Sequence, residues 1–241
     1  INFNMNRVAT EASAAEKALQ EASKALERVR VLGAPGANST TTAATRVTLS
    51  DEVSGLLENL VGISRTSVEG RFVFSGDTDQ TPPYSIDFGN IPPVSAYAGS
   101  TTNTRQVQHP NGTRFSVSRT AQEIFDSSTA SDNVYGAITD LRAALLANDQ
   151  TAIEAALDRT VTAASHLERQ LAFYGTIQNR VAEAVDYGRK LELDYTTQIS
   201  NIEDTDLTEA VLELTQAQTA QKAALQAKAS VPNISLFDYI R

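Results

Sequence analysis

The sequence predicts a mainly α protein with a β-rich insertion, a long antiparallel helical rod carrying a small β domain. Three observations carry that prediction. Apolar residues recur at alternating spacings of four and three near both ends of the chain, the signature of helices that bury one stripe. The period falls to two after Gly70, and five of the seven prolines lie between Pro82 and Pro110. Trp is absent, aromatics make up 6%, and the 41% hydrophobic content is largely Ala, so helices must meet through thin seams.

The first helix spans residues 1–32, with Ile1, Met5, Val8, Ala12, Ala15, Leu19, Ala22, Leu26 and Val29 on one stripe. Gly33, Pro35 and Gly36 read as its C-terminal stop, and residues 34–45 as a loop. A second helix is expected from about Thr48 to Glu69, through Leu49, Val53, Leu56, Leu60 and Ile63. Ser50 ahead of Asp51 and Glu52 is its expected cap. Arg71 to Ser75 alternates as a strand, and Gln106 to Ser118 reads as a hairpin, because Asn111-Gly112 tolerates the positive φ of a tight turn.

The helical period returns at Asp132. Val134, Ile138, Leu141 and Leu145 mark a short helix ending near Asn148-Asp149, and a much longer helix covers residues 151–202, with Ile153, Leu157, Ala164, Leu167, Leu171, Tyr174, Val181, Val185, Tyr195 and Ile202 on its stripe. A last helix runs from Asp206 to Lys228; Pro232 follows, and then an apolar tail. The expected division is therefore residues 1–70 and 127–205 as the two parts of the rod, 71–126 as the β-rich inserted domain, and 206–241 as a terminal assembly helix with its tail. Leu19, Leu26, Leu56, Leu60, Leu167 and Leu171 are expected to face inward.

Composition excludes several functions. Among 241 residues, 20 Lys and Arg stand against 29 Asp and Glu, a net charge of −9, which argues against nucleic acid as a partner. No Cys means no disulfide, thiolate nucleophile or thiolate metal site. No apolar run approaches the ~18 residues of a membrane span, and no basic-then-apolar segment opens the chain. The first residue is Ile, as in a fragment or a processed chain.

Candidate chemistry does not hold together. Asp77 to Thr81 opens like a calcium loop, yet position six is Pro82 and position twelve is Phe88, where Gly and Glu are required. Acids crowd Glu183 to Glu213, but their spread along a helix keeps most beyond shared-ligand distance. His109 and His166 have no Ser and Asp at triad spacing, and Gly33 to Gly36 lacks the Lys-Ser or Lys-Thr of a phosphate loop. No enzyme, metal or cofactor is expected. What remains is an Ala- and Gln-rich final helix ending in apolar side chains that have no obvious cover. Leu207, Val211, Leu214, Leu225, Ile234, Leu236, Phe237, Tyr239 and Ile240 are the expected assembly surface.

Two stretches resemble the C-terminal region of bacterial flagellins: Tyr174-Gly-Thr-Ile-Gln-Asn-Arg-Val181, and Ile199-Ser-Asn-Ile-Glu-Asp-Thr-Asp-Leu-Thr-Glu-Ala210. The ending Ile234-Ser-Leu-Phe-Asp-Tyr-Ile240 is more similar to the hook-associated members of that family than to flagellin itself. Glu69 to Gly76 with Gln80 to Tyr84, and Glu123 to Asp126, are similar to the family's passage into and out of its β domain. The resemblance implies terminal helices that polymerise as an inner coil and export through the flagellar secretion channel without a cleaved signal. It further implies an extracellular adaptor between hook and filament. The implied partners are further copies in a ring, a neighbouring hook-associated protein, flagellin, and an export chaperone at the C-terminal helix. Family members begin with a few dozen further residues, which the resemblance implies are missing here. A short flagellin is the alternative within the family. A secretion-needle or translocator coiled coil is the alternative outside it, and it would need an apolar insertion stretch that the sequence lacks.

Overall fold

The structure is a computed structural model that describes residues 2–101, 105–203 and 207–230. It is mainly α with small antiparallel sheets, as the sequence predicts. The elements are α1 (Asn2–Gly36), α2 (Ala43–Ser64), β1 (Ser67–Val68), β2 (Arg71–Phe72), β3 (Gln106–Gln108), β4 (Arg114–Ser116), α3 (Ala121–Phe125), α4 (Val134–Ala147), α5 (Gln150–Glu203) and α6 (Leu207–Ser230). They fall into two compact units, residues 1–189 and residues 190–241.

In the first unit, α1, α2, α4 and α5 pack side by side, each antiparallel to the next. Gly36 lies against Leu49 where α1 turns into α2. Arg142 of α4 donates to Ser54 of α2, 2.7 Å away, and Arg46 donates to the Asn148 side chain at the other end of the same pair. Gln178 of α5 meets Glu16 of α1, whereas Leu157 meets Gly33 and Ile153 meets Gly36, so α5 runs back along α1. Leu19, Leu26, Leu60 and Leu167 are buried, and Leu56 and Leu171 are half-buried against the same core.

The helix ends depart from the sequence reading. α1 continues through Gly33 and Pro35 to Gly36 rather than stopping at residue 32. A Cβ on Gly33 would lie 2.8 Å from Leu157 Cδ2 and 2.9 Å from Leu141 Cδ2, and one on Gly36 would lie 2.5 Å from Leu145 Cδ2. Gly33 therefore admits neighbouring leucines inside the helix, and Gly36, where the helix ends, admits Leu145. The carbonyls freed at this end are bound: Arg46 Nε donates to Gly36 O at 2.8 Å, and Thr41 Oγ1 to Pro35 O at 2.6 Å. α2 starts earlier than expected, because Thr42 is the cap that accepts the Thr45 amide; Ser50 lies inside the helix and donates to Val47 O.

α2 also ends earlier, at Ser64, and a hairpin begins before Gly70. Glu69 and Gly70 have φ of +53° and +77°, the pair of left-handed residues that a two-residue hairpin turn demands. The strand expected over residues 71–75 is only Arg71–Phe72: Val73 N–H still bonds Thr66 O, opposite it in the same register, but Phe74 O accepts the Ala121 amide instead of continuing the hairpin. The second hairpin forms where Asn111-Gly112 predicts it, with Val107 opposite Phe115 and Gly112 at φ +94°.

Residues 71–126 share a core with the helices. The Phe74 ring meets Phe125 and Tyr174 edge-on, at 6.1 and 6.2 Å, and Phe125 stacks on Tyr135 at 5.6 Å. Tyr174 belongs to α5 and Tyr135 to α4, so one aromatic cluster ties the insertion to two helices. The second hairpin lies against the same bundle through the Glu11–Arg105 ion pair and the contact of His109 with Tyr187.

Candidate assembly surface

The second unit, residues 190–241, contains the last turns of α5 and all of α6. α6 has 24 residues, most of them Ala, Gln, Thr and Glu, which are good or tolerable helix formers. Leu207, Val211, Leu214 and Leu225 fall on one stripe, since their spacings of four, three and eleven are close to whole turns. Val211, Leu214 and Leu225 are exposed by 53–61%. The side chain of Leu207 lies outside the described residues, as do Ile234, Leu236, Phe237, Tyr239 and Ile240.

The structure adds residues that the sequence reading does not assign to this surface. Leu212, off the stripe, is exposed, and so are Leu193, Tyr195, Ile199 and Ile202 at the end of α5. Tyr195 and Ile202 read as core from their spacing, and their exposure corrects that reading. Their spacing alone does not separate them from buried positions, because periodicity specifies which side of a helix is apolar and not what lies against it.

In the first unit, the acids that share a cavity are committed to holding the fold. A cavity of about 570 Å³ opens between residues 85–96 and α4, lined by Asp87, Asp126 and Asp140. Asp126 accepts from Tyr84 and Asn133, Asp87 from the Gly89 amide and Asn90, and Asp140 pairs with Arg159. Burial, and then the charge of Asp126, push the Tyr84 phenol far above its ordinary value; burial, and then Glu123, push Tyr97 up to about 12. These are phenols held neutral inside the fold. His166 is buried with Asp132 at 3.4 Å, but its other nitrogen meets the Glu123 carbonyl at 3.0 Å, where a hydrolase would place a nucleophile. Among the described residues no group of acids and histidines is placed to hold a metal, and no helix is long and apolar enough to cross a membrane.

The fold class is a multi-helix bundle followed by helices with open apolar side chains. Two family profiles make that class specific: the bacterial flagellin N-terminal helical region matches residues 2–79, and the bacterial flagellin C-terminal helical region matches residues 151–240. The chain belongs to the bacterial flagellin family. It is 24% identical to flagellar hook-associated protein 3 of Escherichia coli (strain K12) over 244 aligned positions, covering 92% of this chain and 75% of that protein. Among solved structures, it is similar to a putative flagellar hook-associated protein from Vibrio parahaemolyticus, with a TM-score of 0.70 and 21% identity over 82% of this chain and 87% of that one. FlgL of Xanthomonas campestris gives the same TM-score at 19% identity, over 82% of this chain and 96% of that one. These likenesses describe the same fold.

Proposed function

We propose that this chain is a structural subunit of the bacterial flagellum that joins the hook to the filament. The observation that carries this reading is the match to a hook-associated protein along nearly the whole chain, with flagellin-type helical regions at both ends. The subunit works outside the cell, after export by the flagellar secretion system without a cleaved signal. Its partners are further copies in a ring, a neighbouring hook-associated protein on one side and flagellin on the other. The assembly surface is the stripe Leu207, Val211, Leu214 and Leu225, extended by Ile234, Leu236, Phe237, Tyr239 and Ile240. The exposure of Val211, Leu214 and Leu225 supports it, because contiguous apolar side chains in water favour association. An export chaperone would cover the same face before assembly.

Electron microscopy of isolated hooks incubated with the protein tests the proposal. Short caps of protein on hook ends, which then accept flagellin, are the expected result. Long filaments grown from the protein alone would make it a filament subunit, and failure to bind hooks would refute the junction role.

A further inference from the structure

The outward sides of α1 and α2 carry opposite charge, and neither the bundle core nor the assembly surface uses them. On α1, Lys17, Lys24 and Arg28 follow at spacings of seven and four, so they share one face, and all three are exposed. Val31, three residues further on, lies on that face and is 53% exposed. Glu21 sits among the cations and leaves the side net positive, whereas Glu27 is paired with Arg30 at 2.7 Å. On α2 the exposed charges between Val47 and Gly62 are Asp51, Glu52 and Glu58, with no Lys or Arg. Among the described residues, none of Lys17, Lys24, Arg28 and Glu58 takes part in an ion pair.

The two sides also match in step. Going back along α1, Val31, Arg28 and Lys24 are separated by three and then four residues. Going forward along α2, Gly55, Glu58 and Gly62 are separated by the same three and four. Both glycines are exposed, and nothing lies within 4 Å of a Cβ added at either. Laid antiparallel on α2, α1 sets Val31 over Gly55 and Lys24 over Gly62, where the missing side chains leave room for them. Arg28 then falls beside Glu58, as an ion pair between the two helices. The match spans two helical turns, about 10 Å.

Within one chain both sides are exposed, so only a second copy can bring them together. A patch and its complement at different places on one chain make a head-to-tail contact, which repeats from copy to copy and closes into a ring where the rotation permits. We propose that α1 of one copy packs antiparallel against α2 of the next, with Arg28 on Glu58 and with Val31 and Lys24 over Gly55 and Gly62. The contact rests on the junction reading only for the ring it would build. Exposed ion pairs contribute little each. The contact therefore holds at high concentration, or once the terminal helices have gathered the copies.

The chain has no Cys, so introduced thiols are its only ones. Full-length Val31→Cys and Gly55→Cys chains, mixed at about 1 mM with an added oxidant, should form disulfide dimers holding one chain of each kind. Such a bond needs Cα atoms within about 7 Å, and either variant alone should stay monomeric. Arg28→Glu on the first chain, or Glu58→Arg on the second, should slow dimer formation about fivefold by setting like charges face to face. The two reversals together should restore it. All four sites are exposed, and helical dichroism checks that each variant stays folded. Absence of mixed dimers, equal linking by either variant alone, or a paired reversal that does not restore the rate would overturn the contact. No hooks enter this assay. Loss of hook capping with cross-linking intact would refute the junction role and uphold the contact, and capping without cross-linking would do the reverse.

Discussion

Gly33 and Gly55 both sit inside helices, and replacing each with Ala should move stability in opposite directions. Alanine in a helix is worth about 0.5–1 kcal/mol over glycine, because the unfolded chain loses conformational freedom. At Gly55 nothing lies within 4 Å of the added Cβ, so the gain is kept and the variant should be more stable by about that amount. At Gly33 the Cβ would fall 2.8 Å from one leucine methyl and 2.9 Å from another, and the second belongs to Leu141, which is fully buried. Overpacking of that kind costs about 1–3 kcal/mol. The net effect is a loss of about 1 kcal/mol, and the two variants should differ by about 2 kcal/mol. Urea unfolding followed by the helical dichroism signal measures both midpoints, and equal slopes would confirm that only stability has changed. If Gly33→Ala raised the midpoint as Gly55→Ala does, residue 33 would be an ordinary helix position, and the close approach of α1 to α4 and α5 would be refuted.

Leu60→Ala removes a fully buried side chain and should cost about 2–4 kcal/mol in the same unfolding assay; a loss below about 1 kcal/mol would mean that the site collapses or is not core. Burial is the first cause raising the phenols of Tyr84, Tyr97, Tyr135 and Tyr174, whereas unfolded tyrosine ionises near 10. Above about pH 10 the unfolded state therefore holds fewer protons than the folded one, and stability must fall as pH rises. Base titration should show helix loss together with tyrosinate absorbance, and full ionisation with helicity intact would contradict the aromatic core. Deleting residues 206–241 should leave a folded, monomeric chain, by sedimentation and dichroism, that no longer caps hooks. Normal capping by the truncated chain, or its unfolding, would show that this segment is not an assembly element.

Sequence by itself determined the number, order and type of the main elements, because helix and hairpin formation is local. The spacing of four and three along Leu19, Leu26, Leu60 and Leu167 specifies which side must be buried, and Asn111-Gly112 specifies a turn whatever surrounds it. The motifs around Tyr174 and Ile234 also pointed to the family, whose profiles match both ends of the chain. The candidate surface was legible only in part, from the stripe of Leu207, Val211, Leu214 and Leu225.

Tertiary structure decided what spacing leaves open, namely how far each helix runs and what it meets. Gly33 to Gly36 reads as a stop, and α1 does end at Gly36, but that its glycines also admit Leu141, Leu145 and Leu157 involves residues more than a hundred positions away. The same holds for the joining of Phe74 and Phe125 to Tyr135 and Tyr174 in one core. Tyr195 and Ile202 carry the helical period of core residues, yet both are exposed. A periodic stripe specifies that a side chain faces a neighbour, whereas burial requires that the neighbour be there, and that depends on long-range register.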